Sequence, residues 1–176
     1  MPPTFTLATA IPADAPRLTA LVNRAYRGAP ARQGWTAEAH LLDGPRIDEA
    51  GLLELLAAPE AALLLCLGAA GEPLGCVHAR ADAGRLHLAL LAVAPDAQGR
   101  GVGRFLLRAA EAYGVRHGCT VSKMLVISAR PELLAYYGRR GYRPTGATKP
   151  FPADPRFGTP KQLLTLLVLE KPLGLE

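Results

Sequence analysis

The run Gln98-Gly99-Arg100-Gly101-Val102-Gly103-Arg104 has the residue types and spacing to bind an anion. It follows an apolar stretch, Leu91-Ala92-Val93-Ala94-Pro95, and leads into a segment where Val102, Phe105, Leu106, Ala109, Ala110 and Tyr113 recur at helical spacing. Glycines let the backbone turn tightly and approach an anion closely, and the first N–H groups of a helix have no partner of their own. A diphosphate suits such a strand-turn-helix junction, held by the main-chain N–H groups from Gly99 through Arg104, with Arg100 or Arg104 adding charge. A plain capping turn explains one glycine, not three at alternate positions.

Two familiar phosphate motifs do not match. A dinucleotide fingerprint needs a small residue where Arg104 stands, counting from Gly99, or where Leu106 stands, counting from Gly101. The G-x-x-x-x-G-K-[ST] pattern is also absent.

Downstream, Leu133-Leu134-Ala135-Tyr136-Tyr137-Gly138-Arg139-Arg140-Gly141-Tyr142 places a Tyr four positions before a Gly-aromatic pair. With Q-x-x-G-x-G after a strand end, this run resembles the paired signatures of the GNAT superfamily of acyl-CoA N-acetyltransferases. Asn23–Gly28, Gly34-Trp35-Thr36 and the segments Pro150-Phe151-Pro152 and Asp154–Gly158 look like a bacterial branch of it. The resemblance implies an α+β fold with a central mixed, mostly antiparallel sheet, flanking helices and a splayed strand pair forming the acyl-CoA site. It also implies acetyl transfer from acetyl-CoA to a primary amine of a small molecule or peptide, in a ternary complex. A catalytically silent acyl-CoA-binding regulatory domain is the alternative.

Roles follow from the resemblance. Leu91, Ala92 and Val93 offer backbone groups to the pantetheine arm, and Gln98 to Arg104 hold the pyrophosphate. Transfer to an amine needs a neutral nucleophile and a proton for the departing thiolate. Tyr137 matches the family's general acid, with Tyr136 as the fallback. His87 stands where some members carry a basic glutamate, with His78, Glu38 and a water chain as competitors. Arg130 replaces the usual Asn at the start of the Tyr-bearing helix, where it either reaches a cofactor phosphate or is solvated. Trp35, Thr36 and Glu38, on the irregular early segment, are expected to line the acceptor pocket, Glu38 attracting an amine cation, with Arg156 or Phe157 as further candidates.

The elements that must position these residues read as one domain over 1–176. A strand at Phe5–Thr9 precedes a helix N-capped by Asp14, a short helical candidate spans Thr36 to Leu42, and a second helix starts at Asp48. Apolar runs at Ala61–Leu67, Leu74–Arg80 and Leu86–Val93 predict an antiparallel meander, with His87 facing the side of Ala89, Leu91 and Val93. The helix from Gly101, a strand at Val121–Ser128, a helix at Pro131–Arg140 and a last strand at Leu163–Glu170 complete the order. Pro150–Pro160 reads equally as an ordered loop or a flexible connection.

A net charge of +5 favours anionic partners, but no basic run reaches five and none is interleaved with aromatics, which argues against nucleic acid. Cys66, Cys76 and Cys119 lack metal-ligand or disulfide spacing, so reduced thiols and no metal are expected. No signal segment or 18-residue apolar span is present, which predicts a cytoplasmic protein away from membranes. Oligomeric state, a homodimer among the options, depends on loop geometry that no linear motif reports.

Overall fold

The computed structural model of the protein describes residues 3–27 and 38–174. Its strands are β1 (Thr6–Thr9), β2 (Leu42–Asp43), β3 (Ala61–Leu67), β4 (Pro73–Asp82), β5 (Arg85–Val93), β6 (Val121–Ile127), β7 (Arg143–Pro150), β8 (Thr159–Pro160) and β9 (Thr165–Pro172). The helices are α1 (Ala15–Tyr26), α2 (Glu49–Ala57), α3 (Val102–Arg116) and α4 (Pro131–Gly138). Seven strands make one sheet in the order β1-β3-β4-β5-β6-β9-β7, and β2 pairs with β8 in a small ribbon. Among the described strand pairs, β5–β6 alone is parallel. The architecture is the expected mixed α+β sheet with flanking helices.

Helices cover both faces of the sheet, which explains why β3 is apolar on both sides. One core packs Val102, Leu106, Leu107 and Ala110 of α3, with Leu133 and Tyr137 of α4, against Leu86, Leu88, Leu91 and Val93 of β5. The other packs Leu18, Leu21 and Val22 of α1 and Leu52 of α2 against Leu63, Leu65, Leu90 and Ala92.

Two irregularities in β5 shape the site. Its register against β4 runs His78↔Ala89 and then Cys76↔Ala92, so three steps along β5 match two along β4. Leu90, at φ +57°, sits within this bulge in a conformation that L-residues seldom adopt. Beyond the bulge the facing of side chains is reversed: Leu86, Leu88, Leu91 and Val93 share the α3 face, while Leu90 and Ala92 lie on the other. His87 therefore shares a side with Ala89, Leu90 and Ala92, not with Leu91 and Val93 as strict alternation predicted. Second, the β5–β6 pairing stops at Leu88↔Met124 although both strands continue, which splays them apart.

Other expectations are corrected. Asp14 holds the N-cap position of α1 as expected but makes no side-chain capping bond: it also ends a 3-10 turn, Pro12–Asp14, and its carboxylate accepts from the Ile11 N–H at 2.8 Å and pairs with Arg17 at 2.7 Å. Of the helical candidate at Thr36 to Leu42, residues 36 and 37 lie outside the described residues. The rest is a single turn closed by Leu42 N–H on the Glu38 carbonyl at 3.0 Å, followed by β2. Asp48 does cap α2, accepting from the Gly51 N–H at 2.6 Å. β7 went unread because it is an exposed edge strand carrying Pro144 and Pro150, with no apolar alternation to betray it. The last strand begins two residues later than expected, because Leu163 is 96% exposed. Pro150–Pro160 is ordered, with a 3-10 turn at Pro155–Phe157 capped by Asp154 and then β8. No helix among the described residues is long and apolar enough to cross a membrane, and no described cluster could hold a metal ion.

Candidate active site

The glycine-rich turn is shaped by left-handed backbone at Gly99 (φ +76°) and Gly101 (φ +90°). The first bond of the α3 ladder runs from Phe105 N–H to the Gly101 carbonyl at 3.0 Å. The N–H groups of Val102, Gly103 and Arg104 therefore precede the ladder, and no side chain caps this end. A Cβ placed on Gly99 or Gly101 would meet no described atom within 4 Å, so the space over the turn is open. Gln98 turns inward, donating from Nε2 to the Val93 carbonyl at 3.3 Å and tying the turn to the end of β5. Arg100 and Arg104 are exposed. Beside the turn lies a cleft of about 390 Å³ lined by Arg104, Arg108, Arg139, Arg140, Lys171 and Glu111. Its one acid is engaged, because both Lys171 and the Tyr142 hydroxyl donate to Glu111, at 3.0 and 2.9 Å.

The splay opens into a second cavity of about 280 Å³. Ala89, Leu90 and Leu91 of β5 line one side and Leu125, Val126 and Ile127 of β6 the other, with Tyr26, Glu38 and Tyr137 completing the wall. The Tyr26 hydroxyl donates to the Leu91 carbonyl. Tyr137 is buried, and burial, aided by the neighbouring phenols of Tyr26, Tyr136 and Tyr142, pushes its hydroxyl well above the ordinary tyrosine range. Tyr136 packs edge-on against Tyr137 but lies under the Arg140 guanidinium, 3.5 Å from its ring centre, and does not line this cavity.

The wall around Glu38 is built from ion pairs. Arg27 donates to Glu38 at 3.1 Å, to the Gly44 carbonyl at 3.0 Å and to the Phe157 carbonyl at 3.3 Å, joining three loops. Arg130 is fully buried rather than solvated, paired with Glu132 and 3.8 Å from Glu38. Glu38 thus lines this cavity, but two guanidiniums already face its carboxylate. Gly158 (φ +98°) backs this wall, and a Cβ there would stand 2.5 Å from Arg27 Nη1. A third cavity of about 220 Å³ adjoins through Ala89, Leu90, Arg46 and Phe157. Trp35 lies outside the described residues.

His87 lies outside these cavities, opposite Arg80 on β4 and Lys123 on β6. Burial and those two cations lower its pKa below the ordinary histidine value. Along β5 it is two residues, roughly 7 Å, from Ala89 on the same face. His78 is buried with Nε2 at 3.1 Å from the Leu55 carbonyl, which occupies it structurally. Arg156 lines the third cavity from an exposed position, paired with Asp154 and Glu54. Sequence reasoning missed Tyr26, Arg27 and Arg46 as site residues. Tyr26 and Arg27 fall in the Asn23–Gly28 stretch that the resemblance marked, whereas no spacing rule points to Arg46.

The model of the Acetyltransferase (GNAT) family matches residues 20–142. The chain belongs to the GNAT acetyltransferase family. A comparison with curated proteins finds no match. Among solved structures, this GNAT chain is similar to the ribosomal-protein-S18-alanine N-acetyltransferase of Escherichia coli, with 15% identity, 98% of this chain and 96% of that chain covered, and a TM-score of 0.73. It is similar to a GNAT superfamily phosphinothricin acetyltransferase of Sinorhizobium meliloti in complex with AcCoA, with 18% identity, 97% and 89% covered, and a TM-score of 0.69. It is also similar to nourseothricin acetyltransferase, with 20% identity, 97% and 99% covered, and a TM-score of 0.68. At these identities the likeness shows the fold.

As a family member the protein is an acyltransferase with acetyl-CoA as acyl donor. The residues present fit that donor. Free N–H groups and open space at the turn suit a diphosphate, the cleft beside it carries five cationic side chains against one engaged acid, and the splay leaves an unpaired strand edge beside Tyr137.

Proposed function

We propose that this protein acetylates a primary amine of a small molecule or peptide, the amine attacking the donor directly in a ternary complex. The observation that carries this reading is that Tyr137 and the unpaired edges of β5 and β6 line one cavity. Acetyl-CoA, when bound, supplies the acetyl thioester and a thiolate leaving group. Main-chain N–H groups from Gly99 to Arg104 hold the pyrophosphate, Arg100 and Arg104 add charge, and Gln98 sets the turn through the Val93 carbonyl. Leu91, Ala92 and Val93 present main-chain groups to the pantetheine arm. Arg130 positions Glu38 on the acceptor side rather than meeting a phosphate.

Tyr137 keeps its proton at Oη until the thiolate departs. Burial disfavours a bare thiolate as it disfavours a phenolate, so the proton passes from Oη to sulfur as the C–S bond breaks, and Tyr137 regains a proton from solvent afterwards. His87 is assigned as general base, taking the amine proton through water, because its lowered pKa keeps the imidazole neutral at pH 7.

Free thiol release from acetyl-CoA across a panel of primary amines tests the proposal. Amine-dependent release is expected; cofactor-dependent thermal stabilisation without turnover on any amine would mean a binding domain and overturn it.

A further inference from the structure

Building on that acyl-transfer reading, we infer that the acceptor amine also carries a carboxylate, as an amino acid does, and that Arg46 reads it. Arg46 lines both the splay cavity and the adjoining cavity, at the point where Ala89 and Leu90 border each. Its backbone is fixed from α1: Asn23 Oδ1 accepts from the Arg46 N–H at 2.7 Å and the Ile47 N–H at 3.3 Å, and Asn23 Nδ2 donates to the Ile47 carbonyl at 2.8 Å. Its guanidinium lies 5.5 Å from the Tyr26 ring centre.

Every carboxylate lining the two cavities already has its own donor. Glu38 has Arg27 and Arg130, Glu54 has Arg156, and Asp48 accepts from the Gly51 N–H. Arg46 has no carboxylate within ion-pair distance among the described residues, although its neighbours Arg27, Arg130 and Arg156 do. A bare alkylamine cation meets no unengaged acid here, whereas a carboxylate meets a planar guanidinium that can bind it through two parallel hydrogen bonds. Leu55, Leu90 and Phe157 supply apolar surface for the remainder of such a molecule. Glu38, expected from sequence to draw the amine, is instead part of the wall.

The test uses the full chain with acetyl-CoA and three matched acceptors, L-leucine, L-leucinamide and 3-methylbutylamine, with rates compared per neutral amine. The wild type is expected to show kcat/KM at least about tenfold higher for leucine than for either analogue. Arg46→Gln should erase that preference, mainly through KM, and Arg46→Lys should retain part of it. Arg17→Gln, at an exposed position that lines none of the three cavities, controls for loss of one positive charge. Equal or better use of the amide or bare amine by the wild type would overturn the inference and leave acyl transfer standing, and needs no variant to fold. A preference intact in Arg46→Gln would also overturn it. Thiol release that no amine raises above the amine-free rate would sink the amine-acetylation reading and this inference together.

Discussion

The Tyr26 hydroxyl donates to the main-chain carbonyl of Leu91, tying the end of α1 to the bulge in β5. Both groups are buried, so the bond holds the bulge where the sheet splays and gives the buried Leu91 carbonyl a partner. Tyr26→Phe keeps the ring and removes the bond. The expected cost is about 1–3 kcal/mol, seen as a lower melting temperature at roughly 2–4 °C per kcal/mol for a domain of this size. Acetyl-CoA affinity, measured by calorimetric titration, should fall in the same variant.

Gly101→Ala separates binding from folding. The added methyl meets open space in the protein, so the stability loss is that of a left-handed alanine, about 1–2 kcal/mol. The methyl fills the space assigned to the pyrophosphate, so acetyl-CoA binding should weaken at least about tenfold. Unchanged affinity would move the phosphate site away from this turn.

Gly158→Ala acts on the opposite wall. Its Cβ would displace Arg27 from Glu38 and from the Gly44 carbonyl, so KM for the acceptor should rise several-fold while acetyl-CoA affinity holds. Initial-rate kinetics with each substrate varied in turn distinguish the two effects.

Burial of Tyr26, Tyr137 and Tyr142 sets an alkaline limit. All three hydroxyls are raised above the ordinary value, so above pH 10 or so the unfolded chain loses protons that the folded chain keeps. Stability should therefore fall as pH rises past 10, by up to about 4 kcal/mol per pH unit for three such groups. Denaturant titrations from pH 8 to 11 measure it, and a flat profile would show that these phenols ionise freely in the fold.

His87 has the opposite sign: its pKa is lowered, so the neutral imidazole persists below the ordinary histidine range. As the base, it should give kcat an acid limb below pH 6.5, and His87→Gln should remove that limb and lower kcat. A limb that survives the substitution assigns the base elsewhere.

Much of the glycine-rich turn and its helix was legible in the sequence because its determinants are local. Glycines at 99 and 101 need positive φ, the apolar spacing after Gly101 is helical, and the Tyr137-to-Tyr142 run begins on one short helix. The wall around Glu38 and Arg46 was not, because it depends on pairs far apart in the chain. Arg27 reaches Phe157 across 130 positions, Arg130 meets Glu38, and Asn23 fixes Arg46. The bulge at Leu90 left no sign either: Leu-Ala-Leu-Leu-Ala-Val reads as unbroken strand, and strict alternation put His87 on the wrong face. β7 was hidden for a plainer reason, since an exposed edge strand has no buried face to impose a pattern.

The central claim is that Tyr137 gives its proton to the departing thiolate in the splay cavity. Tyr137→Phe conserves the packing against Tyr136 and Tyr142 and removes the proton alone. Steady-state release of free thiol at saturating amine should show kcat lowered about a hundredfold or more, with acetyl-CoA affinity within a few-fold of the wild type. An unchanged kcat in a variant that still binds acetyl-CoA would contradict the account.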